Sequence, residues 1–264
     1  MIKRDYKKIH EEIVQWIRDW FEKNGKGCNA IVGMSGGKDS TIVAALCAEA
    51  LGKDRVIGIG MPDYGQGLNE ADAICNYLGI TFVKMPIGGI TNSYKRMWHD
   101  MGDADFKWSE RAEQNIPARV RMTVLYAYAQ TMNGRVVGTC NASENYVGYF
   151  TRYGDGASDV EPIGDLTVKD VKEIGYVMGL PKKWVDKIPD DGLPNSEPDD
   201  QKFSKWGFSY ALLDKYIETG TSGDENADKA IKEMHEKNKF KMNLGTIYKM
   251  EKIFEEFYNN LLAK

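Results

Sequence analysis

The chain has 264 residues, 42% hydrophobic and 28% charged, a mix that excludes disordered and fibrous classes and suits one α/β domain with a sizeable core. Its formal charge of -4 lacks the basic excess expected of a nucleic-acid partner, so anionic small molecules would be met by local basic pockets. The charged N-terminus and the lack of a bilayer-length apolar run point to a cytoplasmic protein with no membrane partner, and four scattered cysteines (28, 47, 75, 140) suggest neither a zinc site nor disulfides.

Ile9, Ile13, Trp16, Ile17 and Trp20 recur at three- and four-residue spacing, which predicts an amphipathic first helix. An apolar run, Asn29 to Val32, then Gly33 to Gly37, then Ile42, Val43, Leu46 and Leu51 at helical spacing read as strand, glycine loop and helix. Val56 to Met61 predicts a second strand, Asn69 to Leu78 a helix, and Ile80 to Met85 a third strand. Residues 109 to 133 read as a long helix interrupted near its start by Pro117, and Arg135 to Thr139 as another buried strand. A helix over 167 to 178 and a short one after Pro181 follow. Residues 188 to 206, with Pro189, Pro194 and Pro198 among polar residues, read as a mobile surface loop that could serve as a lid. The remainder is helical in pattern. Alternating strands and helices predict an α/β, doubly wound, mainly parallel sheet flanked by helices, Rossmann-like, with ligands at the strands' carboxyl ends.

The sharpest local signal is Ser35-Gly36-Gly37-Lys38-Asp39-Ser40, set between strand and helix. Paired glycines bring backbone N–H groups close to an anion, and the helix N-terminus adds partial positive charge. Asp39 falls in the first turn, where a carboxylate can hold Mg²⁺ against phosphate oxygens. A plain strand-to-helix turn capped by Ser35 or Asp39 is the bland alternative. The hexapeptide has neither the Gly-Lys-Ser/Thr ending of a Walker loop nor Gly-x-Gly-x-x-Gly spacing.

With Gly33 and Met34 before it, this loop resembles the pyrophosphate-binding loop of the ATP pyrophosphatases, an adenine nucleotide alpha hydrolase-like group that cleaves ATP between the α and β phosphates. Two further stretches, 115 to 126 and Gly138 through Asp165, resemble the ammonia-dependent NAD synthetases. The resemblance implies a single domain over 1-264 that amidates deamido-NAD with ammonia, using ATP as co-substrate and Mg²⁺ as cofactor, through an adenylated carboxylate, in a homodimer. It implies ATP contacts at Gly33 to Ser40, Gln66, Thr139 and Lys169, metal ligation and catalysis at Asp39 and Glu144, and deamido-NAD contacts at Arg119, Arg152, Asp159 and Lys241. Taken singly, Arg119 and Lys241 read as solvated charges, Glu144 as a first-turn helix carboxylate, and Arg152 with Asp159 as a loop ion pair.

The chain departs from the family pattern at Val168, where lysine is common, at Asp190, where serine or threonine is usual, and at Phe240, which stands in place of histidine. With the nucleotide loop beginning by residue 35, no glutaminase domain is expected ahead of it, so free ammonia or a separate protein would supply nitrogen. A tRNA-modifying ATP pyrophosphatase and a non-catalytic nucleotide sensor remain the alternatives, the first expected to carry cysteines or a basic surface.

Overall fold

A computed structural model describes residues 4–99, 109–188 and 198–243. Four strands, β1 (Asn29–Gly33), β2 (Val56–Gly60), β3 (Thr81–Lys84) and β4 (Gly134–Val137), form one parallel sheet in the order β3-β2-β1-β4. The central strands are apolar almost throughout because a parallel sheet is covered on both faces. Ala30 and Val32 of β1 point to one face and Ile31 to the other, so one strand feeds two cores. The register pairs Ala30 with Val56 and with Arg135, and Ile57 with Thr81.

On the first face lie α1 (Tyr6–Asn24), α2 (Lys38–Leu51), α3 (Asn69–Leu78), α7 (Val168–Val177) and α8 (Lys182–Val185). The apolar stripe of α1 packs on α2 and α7 of its own chain through Val14, Ile17 and Phe21. Trp16, expected on that stripe, is instead 46% exposed, because the buried face is centred on Val14 and Phe21 rather than on the tryptophans.

On the second face α4 (Gly88–His99) adjoins α5 (Glu110–Thr131), whose Ile116, Val120, Leu125 and Ala129 meet Ile31, Ile59 and Val136. Helix α5 runs unbroken through Pro117, contrary to the expected interruption. Proline removes one backbone donor and costs about 3 kcal/mol in a helix interior; contacts of the following three turns with the sheet offset it.

A third cluster joins α6 (Ala142–Val147), α9 (Asp199–Lys205), α10 (Tyr210–Thr219) and α11 (Glu225–Asn238) around Val147, Phe203 and Leu213. Part of the predicted 188 to 206 loop is therefore helix: Asp199–Lys205 buries Phe203 completely, while 189–197 lie outside the described residues. All four cysteines are buried and free. Among the described residues no helix is long and apolar enough to cross a membrane.

The chain steps outward from β1 to β2 and β3, then returns to β4 on the other side of β1. The loops leaving β1 and β4 diverge at this reversal and open a crevice at the strands' carboxyl ends.

Candidate active site

The loop after β1 begins where the Met34 amide donates to the Ile59 carbonyl at 2.9 Å, ending sheet pairing. Gly36 adopts φ +79°, a region that favours glycine. Gly37 caps α2 without a side-chain cap, so the helix's first N–H groups face the crevice. Ser35 Oγ accepts the Gly37 amide at 3.1 Å, while Ser40 and Thr41 hydroxyls donate to the Gly37 carbonyl at 3.1 and 2.7 Å. The loop is thus held by bonds among its own residues.

The crevice is a cavity of ≈ 1560 Å³. Pockets for one drug-sized ligand run roughly 300–1,000 Å³, so this volume suits two nucleotide-sized molecules together. Gly33, Met34, Ser35, Gly37, Lys38, Asp39 and Ser40 line it on the β1 side, Thr139 and Glu144 on the β4 side, and Gln66 and Lys241 at its flanks. The carbonyl of Gly36 instead faces Lys187, whose Nζ donates to it at 2.9 Å.

Lys38, Asp39 and Glu144 form the charged centre. Lys38 is 2% exposed, and its Nζ lies 2.7 Å from Asp39 Oδ2. Burial opposes its charge, but Asp39 and Glu144 outweigh that and raise its pKa. Glu144 is the third residue of α6 and completes a capping box, with its Oε2 accepting the Asn141 amide at 3.1 Å and its own amide donating to Asn141 Oδ1 at 3.1 Å. Burial first, and then repulsion from Asp39, push the Glu144 carboxyl up to about 8 against the pull of Lys38. Glu144 is the helix-cap carboxylate and also lines the cavity, because one oxygen serves the cap and the other makes no hydrogen bond among the described residues.

That arrangement fits a divalent cation. Two carboxylates converge with a deficit of positive charge; Asp39 Oδ2 pairs with Lys38 and its Oδ1 takes only a long bond, 3.4 Å, from Asn141 Nδ2, while Glu144 has one oxygen outside the capping box. No group of three or more His, Cys, Asp or Glu suited to a metal occurs among the described residues, so phosphate oxygens and water would complete the coordination of a hard cation.

Four predicted contacts lie outside the cavity lining. Lys169 is on α7, where its amide donates to Asp214 Oδ2 at 3.0 Å. Arg119 is exposed on α5 and donates from Nε to the Arg152 carbonyl at 3.3 Å. Arg152 stacks over Tyr153 and Phe240, at 4.8 and 5.5 Å, and donates to the Asn243 carbonyl at 2.6 Å. Asp159 accepts the Val136 amide at 2.8 Å and the Tyr126 hydroxyl at 3.3 Å, sealing the outer edge of β4. The exposed Arg119 and the half-buried Arg152 thus meet beyond the cavity lining, near Lys241, which donates to the Gly148 and Phe150 carbonyls at 2.5 and 2.6 Å.

Arg121 and Lys187 also line the cavity. Arg121 donates from Nε to the Met61 carbonyl at 3.0 Å and from Nη2 to Gln66 Oε1 at 2.7 Å, fixing the loop after β2. Its signal was available: Arg121 is four residues beyond Pro117 and so shares its helix face, whereas Arg119 does not. Lys187 had no such signal, since it meets the glycine loop only through the fold.

The NAD synthase family model matches residues 9–252. The chain belongs to the NAD synthase family. It is 37% identical over 215 residues to the NH(3)-dependent NAD(+) synthetase of Thermococcus sibiricus, covering 81% of this chain and 80% of that protein. Among solved structures, NMN synthetase from Francisella tularensis superposes with a TM-score of 0.83 at 27% identity, covering 94% of this chain and 100% of that one. The NH3-dependent NAD synthetase of Campylobacter jejuni gives a TM-score of 0.75 at 26% identity, with 94% and 100% covered. Family membership gives the α/β fold its place and accounts for a glycine loop that follows neither the Walker nor the dinucleotide pattern.

Proposed function

We propose that this chain catalyses the ATP-dependent amidation of deamido-NAD with ammonia, yielding NAD, AMP and pyrophosphate. The observation that carries the reading is the meeting of the uncapped N-terminus of α2 with the Asp39–Glu144 pair at one cavity large enough for both nucleotides.

In the first step a nicotinate carboxylate oxygen attacks the α-phosphorus, the bond to the bridging α–β oxygen breaks, and pyrophosphate leaves. Backbone N–H groups at the start of α2 receive phosphate oxygens without reorganising, as charge stabilisation in a transition state requires. Asp39 and Glu144 would hold Mg²⁺, which supplies Lewis-acid neutralisation of the phosphate charge when bound. In the second step neutral ammonia attacks the acyl carbon, the acyl–oxygen bond to AMP breaks, and the nitrogen sheds one proton to become the amide. The site must limit water, because the mixed anhydride is also open to hydrolysis.

Arg119, Arg152, Asp159 and Lys241 belong to the dinucleotide in this reading, and Gln66, Thr139 and Lys169 to ATP. A homodimer belongs to it as well: Arg119 and Asp159 are exposed outside the cavity, and a second copy over them would enclose what they bind. Sedimentation velocity measures it, and a monomer at all concentrations would remove that part.

The test is product analysis with ATP, Mg²⁺, ammonium and deamido-NAD. NAD, AMP and pyrophosphate are expected in equal amounts; ADP in place of AMP would end the proposal. A second reading follows from the superposition on an NMN synthetase, in which the same amidation acts on a nicotinate mononucleotide. A parallel reaction with that mononucleotide decides it, the preferred carboxylate being the one with the higher kcat/KM.

A further inference from the structure

The first chemical step expels pyrophosphate, a leaving group of high negative charge, yet the glycine loop offers it only partial charges from backbone amides. A full positive charge beside the loop has few sources. Lys38, within it, is 2% exposed and committed to Asp39. Lys169 lies outside the cavity lining.

Lys187 has what these lack. It lines the cavity two residues beyond α8, with its side chain 31% exposed and so able to change partners. Its Nζ donates to the Gly36 carbonyl at 2.9 Å and pairs with Glu70, in the first turn of α3. In a trans peptide the carbonyl and the following N–H point in opposite directions. Drawing the Gly36 carbonyl towards Lys187 therefore turns the Gly37 N–H the other way, onto Ser35 Oγ at the cavity wall. A lysine in this place keeps a carbonyl dipole away from an incoming phosphate and holds an ammonium group beside the loop, within a side-chain movement of the cavity.

We infer that Lys187 binds the outer phosphates of ATP and stabilises the departing pyrophosphate. Glu70 and the Gly36 carbonyl hold the ammonium group in the absence of nucleotide, and it transfers to a phosphate oxygen when the triphosphate enters. No covalent step is involved.

This inference rests on the adenylation chemistry proposed above, and it is tested by binding rather than turnover. AMP and α,β-methylene-ATP, which cannot be cleaved between the α and β phosphates, are titrated by calorimetry into wild type, Lys187→Ala, Lys187→Gln and Lys187→Arg, with unfolding curves for each. A hydrogen bond to a charged group is worth roughly 1.5–3 kcal/mol, so loss of Lys187 should weaken α,β-methylene-ATP by about tenfold or more and leave AMP unchanged. Lys187→Arg, which keeps the charge, should recover most of the loss. Equal weakening of both ligands would make Lys187 a prop for the loop, and no weakening of either would remove it from the site; each result overturns the inference. The Gln variant carries the test if the Ala variant unfolds. A wild-type protein that forms no NAD yet binds α,β-methylene-ATP in a Lys187-dependent way would sink the proposed function alone. NAD formation with an unweakened Ala variant would sink this inference alone.

Discussion

Asp39 and Glu144 share one lysine between two carboxylates, and that imbalance is the main electrostatic fact of the cavity. Burial and the neighbouring Asp39 raise the pKa of Glu144. A cation bound between the two carboxylates would offset both causes. Asp39→Asn and Glu144→Gln preserve shape and remove charge, so each should cut turnover by at least about 10²-fold with little change in thermal midpoint. A pyrophosphate-release assay alongside a melting curve checks this, and a variant retaining near-normal turnover is not a metal ligand. Both residues were legible in the sequence because local motifs place them, one after a double glycine and one in Asn141-Ala142-Ser143-Glu144. Lys187 was not, because 151 residues separate it from Gly36 and only the folding of α8 against α2 and α7 brings them together.

At the level of elements, periodicity found what is long and a capping pattern could have found what is short. The strands and the helix Asn69–Leu78 were readable from apolar runs bounded by glycine and proline. Helix α6 has six residues, less than two turns, so it shows no period; its mark is the Asn141…Glu144 capping box. Helix α9 was misread for a different reason. The composition of 188 to 206 is polar overall, but one residue, Phe203, is fully buried against Phe208, Tyr210 and Tyr149, and a single large aromatic can anchor a two-turn helix. Asp199 and Asp200 at the start of α9 and Lys202 and Lys205 at its end suit the helix dipole as well. Phe203→Ala should therefore destabilise the fold by about 3–5 kcal/mol, the range for emptying a buried aromatic site. Urea unfolding measures it, and a loss within the scatter of surface substitutions would mean that the helix does not depend on its aromatic anchor.

Across the whole molecule, the sheet layer and the helical cluster of α6, α9, α10 and α11 must keep their relation for Asp39, on one, to face Glu144, on the other. Asp170 is one tie between them. It lies 2% exposed in the first turn of α7, takes hydrogen bonds from Thr167 Oγ1 at 2.7 Å and from the Tyr6 hydroxyl at 2.8 Å, and pairs with Arg4 Nη1 at 2.5 Å. The same Arg4 nitrogen donates to Glu218 of α10 at 2.9 Å, so the N-terminus, α7 and α10 meet at one guanidinium. Burial alone would raise the pKa of Asp170, but the bonds from Thr167, Tyr6 and Arg4 outweigh it and the net shift is downward. A carboxylate with a depressed folded-state pKa contributes stability that is complete above its unfolded value, near 3.9, and is lost as pH falls through the folded value. Asp170→Asn removes the charge, and at pH 7 it should cost on the order of 2 kcal/mol, the scale of hydrogen bonds to a charged group. The gap between wild type and variant should hold from pH 7 to about pH 5 and close below about pH 4, because only the wild type has this proton to gain on unfolding's acid side. Urea unfolding at neutral and acid pH gives the answer, and a gap that does not change with pH would show that Asp170 acts through packing rather than through its charge.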